Sequence, residues 1–124
     1  MKKQKVLVID DEQEIGMLLT MLASKKGYEA KYSLDLESGR KLVHDFEPDI
    51  LFLDINLPDG NGLENIRNFK DINAGLKIIM ISAIDTQLNK NKAKREGADE
   101  FMSKPFNIQE LNLILQKYYQ KEIN

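Results

Sequence analysis

Pro48-Asp49-Ile50-Leu51-Phe52-Leu53-Asp54-Ile55-Asn56-Leu57-Pro58-Asp59-Gly60-Asn61-Gly62-Leu63 is the stretch whose reading decides the fold. Ile50 to Leu53 is an uninterrupted apolar run, too short for a helix, with Pro48 ahead of it and Pro58, Gly60 and Gly62 behind. Such a run predicts a strand buried on both faces, as in the middle of a parallel sheet. Asp54 then stands at the strand's carboxyl end, where open α/β sheets place their ligands. Taken alone, that placement is evenly matched by a plain structural account, Asp54 as a turn former or the N-cap of the next helix, since aspartate is favoured in both places. The remainder of the chain decides between these.

Outward from that stretch, short apolar runs alternate with longer amphipathic ones, the pattern of βα units stacked into a parallel sheet. Val6 to Ile9 predicts the first buried strand, and it ends in Asp10-Asp11-Glu12. One acid at a helix start caps free amides and suits the dipole; three exceed what a cap requires. The first helix is expected from about Glu12 to Lys26, with Ile15, Leu19 and Leu22 on the sheet-facing side. Leu18 lies at the edge of that stripe, Met17 and Met21 fall outside it, and Gly27 closes the helix. Tyr28 to Ser33 alternates polar and apolar residues, which suits an edge strand. Leu36 to Phe46 predicts the second helix and carries the only histidine, His44, read as a solvated residue.

Leu63 to Ile72 predicts the third helix, and Leu76 to Ile81 a buried strand ending at Ser82-Ala83. Thr86 to Glu96 follows as a polar fourth helix whose Lys90, Lys92, Lys94 and Arg95 read as a solvated face rather than a nucleic-acid patch. Gly97 ends it. Glu100 to Ser103 is a short last strand, and Asn107 can cap a final helix that turns Ile108, Leu111, Ile114 and Leu115 inward. The expectation is five strands and five helices in strict alternation.

A chain of 124 residues suits one compact domain, residues 1–124. Net charge of −2 gives no overall field toward nucleic acid or an anionic membrane surface. The absence of cysteine excludes disulfides, zinc–thiolate sites and cysteine nucleophiles. The basic start, Met1-Lys2-Lys3-Gln4-Lys5, is followed by only Val6 to Ile9 before two aspartates, and no segment reaches membrane-spanning length. A cytoplasmic domain without membrane contact is the expectation. The polar end from Lys117 to Asn124 is compatible with a true terminus or with a cut linker to a further domain.

In a parallel sheet, the ends of alternate segments lie at one edge. Asp10 and Asp11 follow the first strand, Asp54 the third, Ser82 the fourth and Lys104 the fifth, so five polar groups converge from four segments. Crowding carboxylates is costly, because a like-charge pair about 4 Å apart repels by ~4 kcal/mol at an effective dielectric of about 20. Two remedies exist, a raised carboxyl pKa or a bound divalent cation. With no histidine or cysteine nearby the ligands are hard oxygens, and Mg²⁺ is the ion that suits them. A carboxylate beside Mg²⁺, with a lysine and a hydroxyl opposite, fits phosphoryl transfer, in which aspartate can act as the nucleophile. Lys104, the Ser82 hydroxyl and the backbone N–H groups of Asn56 and Ala83 can then meet phosphoryl oxygens.

Over the whole chain these residues resemble the receiver (CheY-like) domains of two-component response regulators. The motifs that carry the resemblance are Val8-Ile9-Asp10-Asp11, Leu51 to Gly62, Ile81-Ser82-Ala83, Gly97-Ala98-Asp99-Glu100-Phe101 and Lys104-Pro105-Phe106. The resemblance implies a flavodoxin-like α/β fold, a (βα)5 three-layer sandwich with a five-stranded parallel sheet of order 2-1-3-4-5. It implies Asp54 as phosphoacceptor, Asp11 as a direct Mg²⁺ ligand, Asp10 as a ligand through water and Asn56 as a backbone-carbonyl ligand. It implies Ser82 and Phe101 as a switch pair, and a histidine kinase or histidine phosphotransfer protein as donor. Phe rather than Tyr at 101 removes a hydroxyl and any hydrogen bond it would make. Such a domain is a signalling phosphoacceptor, not an enzyme acting on other substrates. It signals to a partner, and pairing into a homodimer on phosphorylation is compatible with it.

Two further expectations concern this sequence in particular. Ile84, two residues beyond Ser82, is apolar and placed to shield an acyl phosphate from water. Ile15, Leu18, Pro105 and Phe106 form a candidate apolar patch for the phosphodonor, with plain core packing as the competing account. The rival function is a Mg²⁺-dependent phosphatase or phosphotransferase with an aspartate nucleophile. That class places the nucleophile after the first strand as Asp-x-Asp and needs a substrate cap, whereas here the order is Asp10-Asp11-Glu12 and no insertion could serve as the cap. A flavin module would want a Ser/Thr/Gly-rich loop where this chain is acidic, and a P-loop is absent.

Overall fold

A computed structural model describes residues 3–119. Met1 and Lys2 of the basic start, and positions 120–124 of the polar end, lie outside the described residues. In chain order the elements are β1 (Lys5–Ile9), α1 (Gln13–Lys25), β2 (Glu29–Ser33), α2 (Leu36–Phe46), β3 (Ile50–Asp54), β4 (Asn56–Leu57) and β5 (Gly60–Asn61). A 3-10 turn (Leu63–Asn65), α3 (Ile66–Ile72), β6 (Lys77–Ser82), α4 (Gln87–Glu96), β7 (Glu100–Ser103) and α5 (Ile108–Tyr118) follow. Five strands form one parallel sheet of order β2-β1-β3-β6-β7. This is the expected 2-1-3-4-5 arrangement, with β4 and β5 set apart as a small antiparallel hairpin after the central strand.

The sheet's two faces explain why its inner strands are apolar throughout. Leu7, Ile9, Leu51, Leu53, Ile78 and Met80 pack on one side with Leu36, Val43 and Phe46 of α2, Ile66 and Phe69 of α3 and Ala93 of α4. Their neighbours in sequence, Val6, Val8, Ile50, Phe52, Ile79 and Ile81, pack on the other side with Leu19 and Ala23 of α1 and Leu111, Ile114 and Leu115 of α5. Alternation along each strand thus feeds two cores, which makes three layers. β2 lies at the sheet edge and alternates exposed and covered positions, as its sequence predicts. Two faces that differ in partner helices also fix the register, since a one-residue slip would exchange them.

Local chemistry sets the helix ends. Asp35, Thr86 and Asn107 each accept a hydrogen bond from the backbone N–H three residues on, at 2.8, 3.2 and 2.6 Å. Gly27 and Gly97, at φ 97° and 110°, turn the chain out of α1 and α4 in the left-handed conformation that glycine tolerates. Met17 and Met21 are exposed, and Ile15 and Leu22 are half-buried against the α1–α5 core. Two expectations need correction. The segment from Leu63 begins as a 3-10 turn, and α3 proper starts at Ile66. Ile108, expected to face inward, is 50% exposed: it is the first residue of α5, whose buried positions begin one turn later at Leu111.

Candidate functional site

Three strands deliver the reactive groups to one edge. Asp54 is the last residue of β3 and Ser82 the last of β6, while Asp10 follows β1 directly. All three are buried, although each is polar. Buried polar groups require partners, and these three have them. Asp10 Oδ1 accepts from the Glu12 N–H at 2.9 Å, Asp54 Oδ1 from the Ile55 N–H at 2.7 Å, and Ser82 Oγ from the Ile84 N–H at 2.9 Å.

Lys104, just past β7, closes the cluster. Its backbone N–H donates to the Ser82 carbonyl at 2.8 Å, and its peptide bond to Pro105 is cis. Its ammonium lies 2.8 Å from Asp10 Oδ2, 3.0 Å from Glu12 Oε1 and 3.2 Å from Asp54 Oδ2. The approach to Asp10 is out of hydrogen-bonding alignment, so that fully buried oxygen receives charge but no proton donor. Burial pushes the Asp54 carboxyl up to about 6 and the charge of Asp10 adds to the rise, while Lys104 and the Ile55 N–H restrain it. Burial works against the Lys104 ammonium, yet its contacts with Asp10 and Glu12 and the charge of Asp54 outweigh that and hold its pKa above the ordinary lysine value.

Carboxylate oxygens of Asp10, Glu12 and Asp54 all lie within 4.8 Å of one another. A set of hard oxygens at that spacing, with one oxygen lacking a donor, fits a small divalent cation. Asp10, Asp11 and Asp54 are the acids expected at the metal site from the sequence. The structure gathers Asp10 and Asp54, adds Glu12, and leaves Asp11 exposed outside that group. The chain bends at Asp11, the Glu12 N–H folds back onto Asp10 Oδ1 at 2.9 Å, and the Glu12 carboxylate meets the Lys104 ammonium at 3.0 Å. Only the run of three acids hinted at Glu12, and nothing in their spacing separated it from Asp11.

The other predicted site residues surround this cluster. Asn56 is exposed on the β4–β5 hairpin and Ala83 is exposed after β6. The hairpin runs close under the acid: the Gly62 N–H donates to the Ile55 carbonyl at 2.7 Å, and a Cβ at Gly62 would collide with the Asp54 carbonyl oxygen. Phe101 is partly buried against the core beneath α2, α3 and α4, and borders a cavity of about 330 Å³ shared with Lys90, Ala93, Lys94 and Ala98. Ile15, Leu18, Pro105 and Phe106 line a second cavity of about 450 Å³, together with Glu12, Ala83 and Lys104. His44 is exposed on α2, its ring beside Asp45.

The profile of the response regulator receiver domain matches residues 6–116. This chain belongs to that family. The receiver domain is similar to that of NtrX from Brucella abortus at 31% identity, with 91% of this chain and 96% of that one covered and a TM-score of 0.83. It is similar to the NtrC4 receiver domain, solved in solution as a beryllofluoride-activated dimer, at 28% identity, 93% and 95% coverage and a TM-score of 0.87. A response regulator from Burkholderia pseudomallei, solved with a phosphorylated aspartic acid, a calcium ion and citrate, shares the fold at 23% identity. Coverage there is 92% of this chain and 67% of that one, with a TM-score of 0.85. Among the described residues of this receiver domain, no helix is long and apolar enough to cross a membrane.

Proposed function

We propose that the domain accepts a phosphoryl group on Asp54 from a histidine kinase or histidine phosphotransfer protein, in a Mg²⁺-dependent reaction, and then changes conformation to signal to a partner. The observation that carries this reading is the meeting of Asp54, Asp10 and Glu12 around the Lys104 ammonium, beside the Ser82 hydroxyl. Asp10, Asp11 and Asp54, with the Asn56 backbone carbonyl, are the proposed metal ligands, and Glu12 lies within reach of the same place. Bound there, Mg²⁺ would supply positive charge to the phosphoryl oxygens. In the transfer, an Asp54 carboxylate oxygen bonds to phosphorus while the donor's N–P bond breaks and its electron pair stays on the imidazole nitrogen. Lys104 holds one phosphoryl oxygen, the Ser82 hydroxyl a second, and the amides of Ala83 and Asn56 orient the group. The domain would act in the cytoplasm, and it would turn over no substrate other than its own phosphoryl group. Intact-mass measurement after incubation with acetyl phosphate and Mg²⁺ tests the assignment to Asp54.

The proposed switch is Ser82 moving toward the phosphoryl group while Phe101 turns inward, and the space beside Phe101 gives its ring room to move. Ile84 is 43% exposed and its N–H donates to Ser82 Oγ at 2.9 Å, which keeps the residue next to the proposed phosphoryl-binding hydroxyl. Ile84→Glu should shorten the lifetime of the phosphorylated form severalfold by admitting water, and a decay rate equal to wild type would refute that role.

The cavity bounded by Leu18, Pro105 and Phe106 opens beside Lys104, where a donor's phosphohistidine must enter. Leu18→Ala or Phe106→Ala should slow transfer from the protein donor about tenfold, the loss of one apolar anchor. Phosphorylation by acetyl phosphate, which uses none of that surface, should keep its rate. Equal slowing with both donors would assign those residues to packing alone.

A further inference from the structure

Asp59 sits at the tip of the hairpin formed by β4 and β5, and its carboxylate leaves that hairpin for another element. Oδ1 accepts from the Leu36 N–H at 2.8 Å and Oδ2 from the Glu37 N–H at 2.9 Å, the first two amides of α2. Helix α2 already has a side-chain cap of its own, Asp35, which accepts from the Ser38 N–H at 2.8 Å. Asp59 therefore supplies a second, bidentate closure of that helix from 23 residues away. Held by these bonds, its carboxyl lies below the ordinary aspartate range. The hairpin's other end is fixed beneath Asp54, where Gly62 leaves no room for a side chain and its N–H binds the Ile55 carbonyl. Between the two fixed points lies Asn56, paired across the hairpin with Asn61.

We propose that Asp59 is a positioning residue for the metal site: by clamping the hairpin tip onto α2, it holds the Asn56 backbone carbonyl where a divalent cation at Asp10 and Asp54 can use it. The inference rests on the metal-site reading above. Asp59 touches neither cation nor phosphoryl group, so its effect passes through the hairpin. Groups that orient a ligand commonly change metal affinity by about 10- to 100-fold when removed.

Calorimetric titration with Mg²⁺ tests this on the whole chain. Asp59→Ala should raise the Mg²⁺ dissociation constant about tenfold. Asp35→Ala is the control, since it removes a carboxylate and a cap from the same helix end without touching the hairpin, and it should leave the constant at the wild-type value. With acetyl phosphate as donor, Asp59→Ala should need more Mg²⁺ for half-maximal rate and reach the wild-type rate at saturation. An unchanged constant in Asp59→Ala, or an equal rise in Asp35→Ala, would overturn the proposal, as would a wild-type chain that binds no Mg²⁺. A wild-type chain that binds Mg²⁺ but takes no phosphoryl group would instead overturn the phosphoacceptor reading and leave this one standing.

Discussion

Asp54→Asn should abolish phosphorylation: after incubation with acetyl phosphate and Mg²⁺, the wild-type chain gains the mass of one phosphoryl group and the variant gains none. Three acids surround the Lys104 ammonium, and geometry selects among them. Asp10 is fully buried, with Oδ1 engaged by the Glu12 N–H. Glu12 is exposed to solvent, with its carboxylate on the Lys104 ammonium. Asp54 combines a fixed orientation, from the Ile55 N–H on Oδ1, with an Oδ2 that accepts from the Lys104 ammonium at 3.2 Å. Its carboxyl titrates at about 6, so it is largely ionised, and therefore nucleophilic, at neutral pH. Asparagine keeps the shape and an oxygen for the Ile55 amide, so the fold stands while the nucleophile is lost. Chelation of Mg²⁺ should suppress the wild-type reaction as well, because the clustered carboxylates then repel the incoming anion. Equal mass gain in wild type and variant would move the acceptor elsewhere and end the assignment.

What was legible from residues alone followed from short-range rules. Four apolar residues between Pro48 and Asp54 fixed a central strand, and Asp10, Asp54, Ser82 and Lys104 at the ends of such runs had to share an edge once the strands were parallel. Periodicity placed Leu19 inward and Met17 and Met21 outward, since tertiary packing simply uses the stripe that the helix presents. The strand order was beyond alternation and came only with the family resemblance. Pairings between distant residues were also beyond sequence patterns. Glu12 reads as a helix cap, yet makes no side-chain cap bond and spends its carboxylate on Lys104, 92 residues away. Asp59 reads as a turn residue and is a cap for α2. Ile108 keeps the apolar period of α5, but at the first residue of the helix it is half exposed, and burial starts a turn later.

Lys104→Ala should cost the metal-free domain about 3–5 kcal/mol near pH 8, the usual penalty for stripping the partner from buried charge, and much less near pH 5. The sign follows from Asp54. Its folded pKa of about 6 lies above the ordinary 3.8, so its contribution to stability is fully present below the unfolded value and is lost as pH rises through about 6. Lys104 supplies two of the influences that restrain that rise, its charge and its hydrogen bond. Without it the Asp54 pKa climbs further, and near pH 5 the carboxyl is protonated and adds no charge to the site. Near pH 8 Asp54 is ionised with no ammonium beside it, and the deficit is largest. The Lys104 ammonium is held above its ordinary pKa, so it stays charged through this whole window and contributes no slope of its own. Urea unfolding in chelator at the two pH values reads the difference directly. A second removal, Asp54→Asn in the Lys104→Ala background, should recover most of the loss at the higher pH, because it deletes one of the opposed charges. Saturating Mg²⁺, at about a hundred times its dissociation constant, should add ~2.7 kcal/mol by mass action, since the ion takes over the task the ammonium performed. Equal losses at both pH values, with no recovery in the double variant, would mean that Lys104 holds this edge together through its aliphatic stem and not through charge.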